Sequence, residues 1–287
     1  MADPRTEDFL RRFQVVPEGD DHFSGRCYPG WPGRAFGGQL AAQSLHAAAL
    51  TAPDGMDPWS TSIYFHAPVK SNVPIDYEVI RIKDGKTTAA RMVRVNQDGR
   101  HRDTAMVLFG QPGEGPEHHF SRPPITSPED LPPVERILDP SVVPPDADFD
   151  ALGYPAEALV EIRVAGPDPS RGDEAAQYRP AWMRVVPPIP SDALTSAMTL
   201  CYLCDITLGT TALEPHGGRA GTTDLQLGAI ELALWFTGPA ALNDWSLFSQ
   251  ETSFAGGGHG LSHGIFYDAA NRVVAVAGQN ALMRRAQ

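Results

Sequence analysis

Residues 191–208 read SDALTSAMTLCYLCDITL, and the fold of the whole chain turns on this stretch. Ser191 or Asp192 can cap a first turn, because either side-chain oxygen accepts from backbone N–H groups that a helix start leaves unpaired. After the cap the run is apolar on nearly every face. A helix of that kind must be wrapped on all sides, as happens when it lies inside a curved sheet. Its single acid, Asp205, stands out. An ionised carboxylate among apolar neighbours is costly unless it is paired or used in chemistry. The competing reading makes Asp205 a late helix residue that faces solvent. Cys201 and Cys204 read as small buried hydrophobes, and their C-x-x-C spacing lacks the second ligand pair that zinc needs.

The flanks supply the sheet. A strand is expected at 181–186 before this helix. Further strands follow at 226–236, 245–254, 260–267 and 273–283, with residues 268–272 as a turn. The first part of the chain has the same order. A polar-flanked helix is expected within residues 1–16, with Phe9, Leu10 and Phe13 on its packing face, and a strand at 23–28. GRAFGGQLAAQSLHAAALTA at 33–52 then reads as a second helix, opened by Gly37-Gly38. Strands at 61–67, 75–82, 87–96 and 104–109 follow, with Asp84-Gly85 and Asp98-Gly99 marking hairpin turns. A landmark recurs: Tyr64-Phe65-His66-Ala67-Pro68 matches Trp235-Phe236-Thr237-Gly238-Pro239, each after a helix and before a meander of strands. Helix followed by antiparallel strands, twice over, is α+β by internal duplication and not alternating βαβ. The expected organisation is an N-terminal domain at 1–115, a connector at 116–175 and a C-terminal domain at 176–287. The proline-rich region from 111 to 173 holds about half of the chain's 27 prolines, which interrupts regular structure. One strand near 159–164 is expected there, and Phe120, Ile125, Leu131, Ile137, Leu138, Phe149 and Tyr154 are the residues available to pin it down.

Composition narrows the function. The 287 residues are 42% hydrophobic and carry a net charge of −12, which argues against a nucleic-acid footprint or an anionic membrane surface. There is no basic-then-apolar leader and no long uncharged span, so a cytoplasmic protein without membrane insertion is expected. No phosphate-binding glycine loop and no G-x-S-x-G elbow is present. His118-His119 has no carboxylate or cysteine at ligand spacing. Arg91, Arg94, Arg100 and Arg102 read as solvated strand and turn residues, with contact to coenzyme A phosphates as the alternative.

Several segments together resemble a known family. GRAFGGQL (33–40), SIYFHAPVKSNVPIDYEVIRIKDGK (62–86), the Asp205 helix with ALEPHG (212–217), LQLGAIELALWF (225–236) and GQNALMR (278–284) are similar, in order and spacing, to the TesB-like type II acyl-CoA thioesterases. The resemblance covers nearly the whole chain and implies a double hotdog: two tandem antiparallel sheets, each wrapped around a central helix. It implies hydrolysis of acyl-CoA to fatty acid and coenzyme A, and association into homodimers or larger assemblies. It also implies a water held by an Asp on the second helix, a Thr or Ser on the strand ending in Trp-Phe, and a Gln on the last strand. The Asp falls on Asp205 and the Gln on Gln279. Aligned on Trp235-Phe236, the hydroxyl position falls on Ala229, a departure from the pattern.

Asp205 would then polarise the water as a base, with burial raising its pKa toward usefulness. Gln279 offers a donor and an acceptor to orient that water, and the resemblance implies that a backbone N–H near a helix start polarises the thioester carbonyl. No cofactor, metal or covalent nucleophile is needed. Ala229 has no hydroxyl to give. Glu231, which strand alternation puts on the same face but whose charge would need a partner there, or Thr207, Thr210 or Thr211 close to Asp205 in sequence, are the candidate replacements. The reading is a weakened or substrate-restricted thioesterase. The alternative is a catalytically impaired acyl-CoA-binding protein. A hotdog hydratase is disfavoured, because the Asp205 helix has no histidine and His46 has no neighbouring acid.

Overall fold

The computed structural model describes residues 3–27, 29–31, 34–134, 159–166, 169–217 and 225–285. In the first half, helix α1 (Pro4–Arg11) leads into β1 (Val16–Gly19), β2 (His22–Gly25) and a small hairpin of β3 (Pro29–Trp31) and β4 (Arg34–Ala35). Helix α2 (Gly37–Ala49) follows, then β5 (Asp57–Phe65), β6 (Ile75–Asp84), β7 (Thr88–Gln97) and β8 (Arg100–Gly110). The second half has β9 (Val160–Val164), β10 (Ala181–Val185), helix α3 (Ala193–Thr211), β11 (Leu225–Phe236), β12 (Ser246–Gly256), β13 (His259–Tyr267) and β14 (Val273–Arg285).

All strands except the small hairpin join one antiparallel sheet of twelve, in the order β1-β2-β6-β7-β8-β5-β11-β14-β13-β12-β10-β9. Read outward from its middle, the two sides match. β5, β8, β7, β6, β2, β1 on one side correspond to β11, β14, β13, β12, β10, β9 on the other. That symmetry is the duplication inferred from the aromatic landmark, now visible in topology. The halves meet where β5 pairs with β11, Tyr64 opposite Glu231 and Ser60 opposite Trp235. The two sheets are therefore continuous, and this junction hides two edges that would otherwise be free to pair elsewhere.

Each half curls around its helix. The Asp192 carboxylate caps α3 by accepting from the Thr195 N–H at 2.9 Å. Fourteen residues of that helix are buried, because α2 covers one side and strands of both halves the others. α1 crosses between halves, its Phe9 ring and the following Phe13 packing on Tyr202 of α3 with centroids 5.8 and 5.3 Å apart. β9, inside the stretch expected to be a connector, forms the outer edge strand against β10. Ile125 and Leu131 pack on the cluster of Trp182, Leu247 and Tyr267, and the Trp182 indole N–H donates to the Thr126 carbonyl at 2.9 Å. Phe120, expected as another anchor, is instead exposed. Ile137, Leu138, Phe149 and Tyr154 lie outside the described residues. Among the described residues no helix is long and apolar enough to cross a membrane.

One expectation for the arginines needs correcting. Arg91 is not solvated: it is 0% exposed. Its guanidinium donates to the Thr51 hydroxyl at 2.8 Å, the Thr51 carbonyl at 2.7 Å and the Asp84 carboxylate at 2.6 Å. Ala89, Val93 and Val95, at alternate positions of β7, are buried on the same face, and this set of acceptors is what makes a buried cation tolerable.

Candidate active site

The two glycines that open α2 set the site. A β-carbon on Gly38 would stand 2.8 Å from the Cys201 carbonyl oxygen and 2.9 Å from Asp205 Cβ. Only glycine lets α2 come this close to α3. The closeness brings the Gly38 N–H, a first-turn donor with no partner inside its own helix, to Asp205 Oδ2 at 2.7 Å. On the other side of the carboxylate, Gln279 Nε2 donates to Asp205 Oδ1 at 2.5 Å. The acid therefore stands mid-helix, six residues before the end of α3, facing inward and not toward solvent. Burial pushes its pKa up, and the hydrogen bonds from Gln279 and Gly38 only partly oppose that.

Asp205, Gln279 and Ala229 all line one cavity of about 410 Å³ at the junction of the halves, with Gly37, Phe65 and Thr210. Gln279 is 5% exposed, and its Oε1 has no hydrogen-bond partner. With its N–H₂ turned to the carboxylate, the oxygen remains free to accept. Asp205 and Gln279 lie far apart in sequence yet share this cavity, on α3 and β14 respectively.

Of the expected substitutes for the missing hydroxyl, Thr210 borders the cavity, and each candidate already has other partners. A bulge at Ile230 breaks the alternation of β11: Ala229 pairs with Ala281 but Glu231 pairs with Asn280, one step on. The extra residue turns Glu231 to the opposite face from Ala229. There it lies across from Tyr64, whose phenol it hydrogen-bonds, raising that pKa. The Thr207 hydroxyl donates to Gln250 Oε1 at 3.0 Å. The Thr210 and Thr211 hydroxyls both donate to the Thr207 carbonyl, at 2.8 and 3.0 Å. Thr210 also accepts from Arg179 at 2.9 Å.

One cavity residue escaped the sequence reading. Asp103 of β8 lines the same cavity, is 1% exposed, and neither of its carboxylate oxygens has a well-formed hydrogen bond, the His66 backbone N–H being the donor that lies nearest in effect. Burial raises its pKa to about 7. The signal was present in the alternation Asp103, Ala105, Val107, Phe109, which puts an acid in register with three core residues. Starting the strand at Thr104 hid it. Among the described residues no group of three or more His, Cys, Asp or Glu side chains is arranged to hold a metal ion.

Residues 28–110 match the family described as acyl-CoA thioesterase N-terminal domain, and residues 154–282 match the family described as acyl-CoA thioesterase. The chain belongs to the TesB-like acyl-CoA thioesterases, a family of thioester hydrolases. The acyl-CoA thioesterase 2 of Haemophilus influenzae is 29% identical over 255 residues, 88% of each chain. Human acyl-coenzyme A thioesterase 8 is 28% identical over 87% of this chain and 80% of its own. The fold of an acyl-CoA thioesterase II from Mycobacterium marinum superposes with a TM-score of 0.80 at 24% identity, over 96% of this chain and 98% of that one. A tesB protein of Mycobacterium avium gives 0.79, also at 24% identity, over 97% and 99%. These likenesses support the double hotdog.

Proposed function

We propose that this TesB-like protein hydrolyses acyl-CoA with a water held between Asp205 and Gln279. The observation that carries the reading is the pair itself: a carboxylate with each oxygen already fixed by one donor, and beside it a glutamine oxygen with nothing to accept. A water there can give one proton toward Asp205 and the other to Gln279 Oε1, which aims a lone pair at the thioester carbonyl. Asp205 takes the proton as the C–O bond forms. Its raised pKa makes it a better base than an exposed aspartate. Gly37, the first residue of α2, borders the same cavity. Its N–H, at the positive end of the helix dipole, is suited to receive the charge that builds on the carbonyl oxygen. The tetrahedral intermediate then collapses with loss of the coenzyme A thiolate. That thiolate takes the proton held by Asp205, directly or through solvent, and leaves readily, since thiols are moderately acidic.

Ala229 withholds one contact from that water. Its methyl supports the second reading, an acyl-CoA-binding protein with impaired turnover. One experiment separates the two: steady-state thiol release from a series of acyl-CoA chain lengths, for wild type and Asp205→Asn. Turnover by wild type and a loss of about a hundredfold or more in kcat on Asp205→Asn are expected. The wild-type kcat/KM should rise with pH through the elevated pKa of Asp205, because the ionised form is the base. Hydrolysis that survives the substitution unchanged removes Asp205 from the mechanism. Tight binding with no turnover selects the second reading.

A further inference from the structure

Four neighbouring strands, β14, β11, β5 and β8, form the sheet wall beside the cavity, and they carry Gln279, Ala229, Phe65 and Asp103 respectively. The hydrolytic pair stands at one end of this row. Asp103 stands at the other, three strand spacings or roughly 14 Å away across the sheet. The cavity lining is largely apolar, with Phe65, Ala67, Leu40 and Val69, while His66 and Arg34 also border it. A cavity that received only hydrocarbon would have no use for a buried acid in its wall. Leaving both carboxyl oxygens without a well-formed hydrogen bond, with only the His66 backbone N–H acting on them, costs stability that a polar ligand group would recover.

We propose that Asp103 is a specificity-determining residue of the cavity, hydrogen-bonding a hydroxyl or amide group that the thioester carries at the end remote from Asp205. The chemistry of the partner follows from the acid. Asp103 is buried in the cavity wall with its acid group turned to the lining, and a partner that both donates and accepts suits either form of a carboxyl that burial pushes up to about 7. A hydroxyl or a secondary amide does both. A keto oxygen meets only the protonated acid, and an ammonium group meets only the carboxylate. A cation is disfavoured further because the Arg102 guanidinium already acts on Asp103. Such a group has two sources in an acyl-CoA: a hydroxyl placed well along the acyl chain, or the amides and hydroxyl of the carrier arm. The inference rests on the thioesterase reading above for the identity of the ligand, though not for the polarity of the subsite.

Two pairs of substrates distinguish the sources. One pair is a saturated acyl-CoA and its counterpart with a hydroxyl distant from the carbonyl. The other is an acyl-CoA and the same acyl group on N-acetylcysteamine, which lacks most of the arm. Each is assayed with wild type, Asp103→Leu and Asp103→Asn. The substrate that bears the partner group should show a KM raised about tenfold on Asp103→Leu, with kcat little changed. Its pair-mate should be unaffected or improved, and Asp103→Asn, which both donates and accepts, should restore part of the difference. A change in the hydroxyl pair assigns the acyl chain; a change in the carrier pair assigns the arm. Equal changes for all four substrates, or no change, overturn the proposal and leave Asp103 a structural residue. Should wild type hydrolyse none of them, the thioesterase reading fails, and the same compounds titrated calorimetrically still decide the matter. Relative affinities that Asp103→Leu does not alter then refute the subsite.

Discussion

Replacing Gly38 by alanine tests the geometry on which the site depends. The new methyl would meet the Cys201 carbonyl oxygen at 2.8 Å, Asp205 Cβ at 2.9 Å and Phe36 Cε1 at 2.9 Å. Two of these belong to the interior of α3, which is buried on almost every side and has little freedom to retreat. α2 must therefore withdraw. Forced overpacking costs about 1–3 kcal/mol. The bond from the Gly38 N–H to the Asp205 carboxylate, 2.7 Å long, stretches with it, and a hydrogen bond to a charged group adds about 1.5–3 kcal/mol. The sum is about 2.5–6 kcal/mol, which at a typical urea dependence displaces the unfolding midpoint by about 1 M or more. The reaction should suffer as well as the stability. Asp205 loses one of the two donors that fix it, so kcat/KM should fall about a hundredfold even in the variant that remains folded. Gly37→Ala would press instead on side chains, Asp205 Oδ2 at 2.8 Å and the Phe65 ring at 3.1 Å, so it should cost less stability while still impairing the reaction. Gly278→Ala is the control: it adjoins Gln279 in β14, yet its β-carbon would meet nothing within 4 Å. Urea unfolding followed by tryptophan fluorescence, with thiol release on the same preparations, reads all three. A Gly38→Ala protein with the wild-type midpoint and rate would show that the approach of α2 to α3 does not hold the acid.

Two further expectations concern the cavity walls. Ala229→Thr puts a hydroxyl on the strand beside Gln279, diagonal to it across the β11–β14 register, and should raise kcat on the order of tenfold to a hundredfold; an unaltered kcat in a correctly folded variant would mean that the water needs no third contact. Asp103 makes stability depend on pH with a definite sign. Its pKa is higher folded than unfolded because burial disfavours the carboxylate. The folded state therefore holds the extra proton between about pH 4 and 7, and stability falls as pH rises through that window, by at most about 4 kcal/mol. Asp103→Asn should flatten that segment of the profile of unfolding free energy against pH, and a profile that keeps its slope would place the titration elsewhere.

The sequence made the wrapped helices, the tight turns and the order of strands legible because each is written locally, in an apolar run, an Asp-Gly pair or an aromatic landmark. Asp205 was legible for the same reason, being the one acid in its helix. What escaped was set by partners distant in the chain. Arg91 looks like any strand arginine until Thr51 and Asp84 are brought around it. Glu231 looks like a neighbour of Ala229 until a bulge, invisible in the residue pattern, turns it to the other face. The continuity of the two sheets depends on which edges meet, and no residue in β5 or β11 declares that alone.

The duplication also explains why the chain should hold one hydrolytic centre and not two. The landmark relates Tyr64 to Trp235, so the position equivalent to Leu232, the cross-strand partner of Gln279, is Thr61, and the residue opposite Thr61 in β8 is Val107. Where the second half places an amide, the first places an isopropyl group. Nor does α2, GGQLAAQSLHAAA, carry an acid to match Asp205. What the first half contributes instead is the start of that helix: two glycines and an N–H group delivered to the carboxylate of the other half. Each copy has thus kept a different part of the apparatus, one the acid and the amide, the other the close-packed helix end that fixes the acid. Neither half alone assembles the site, which is why the cavity lies where β5 meets β11.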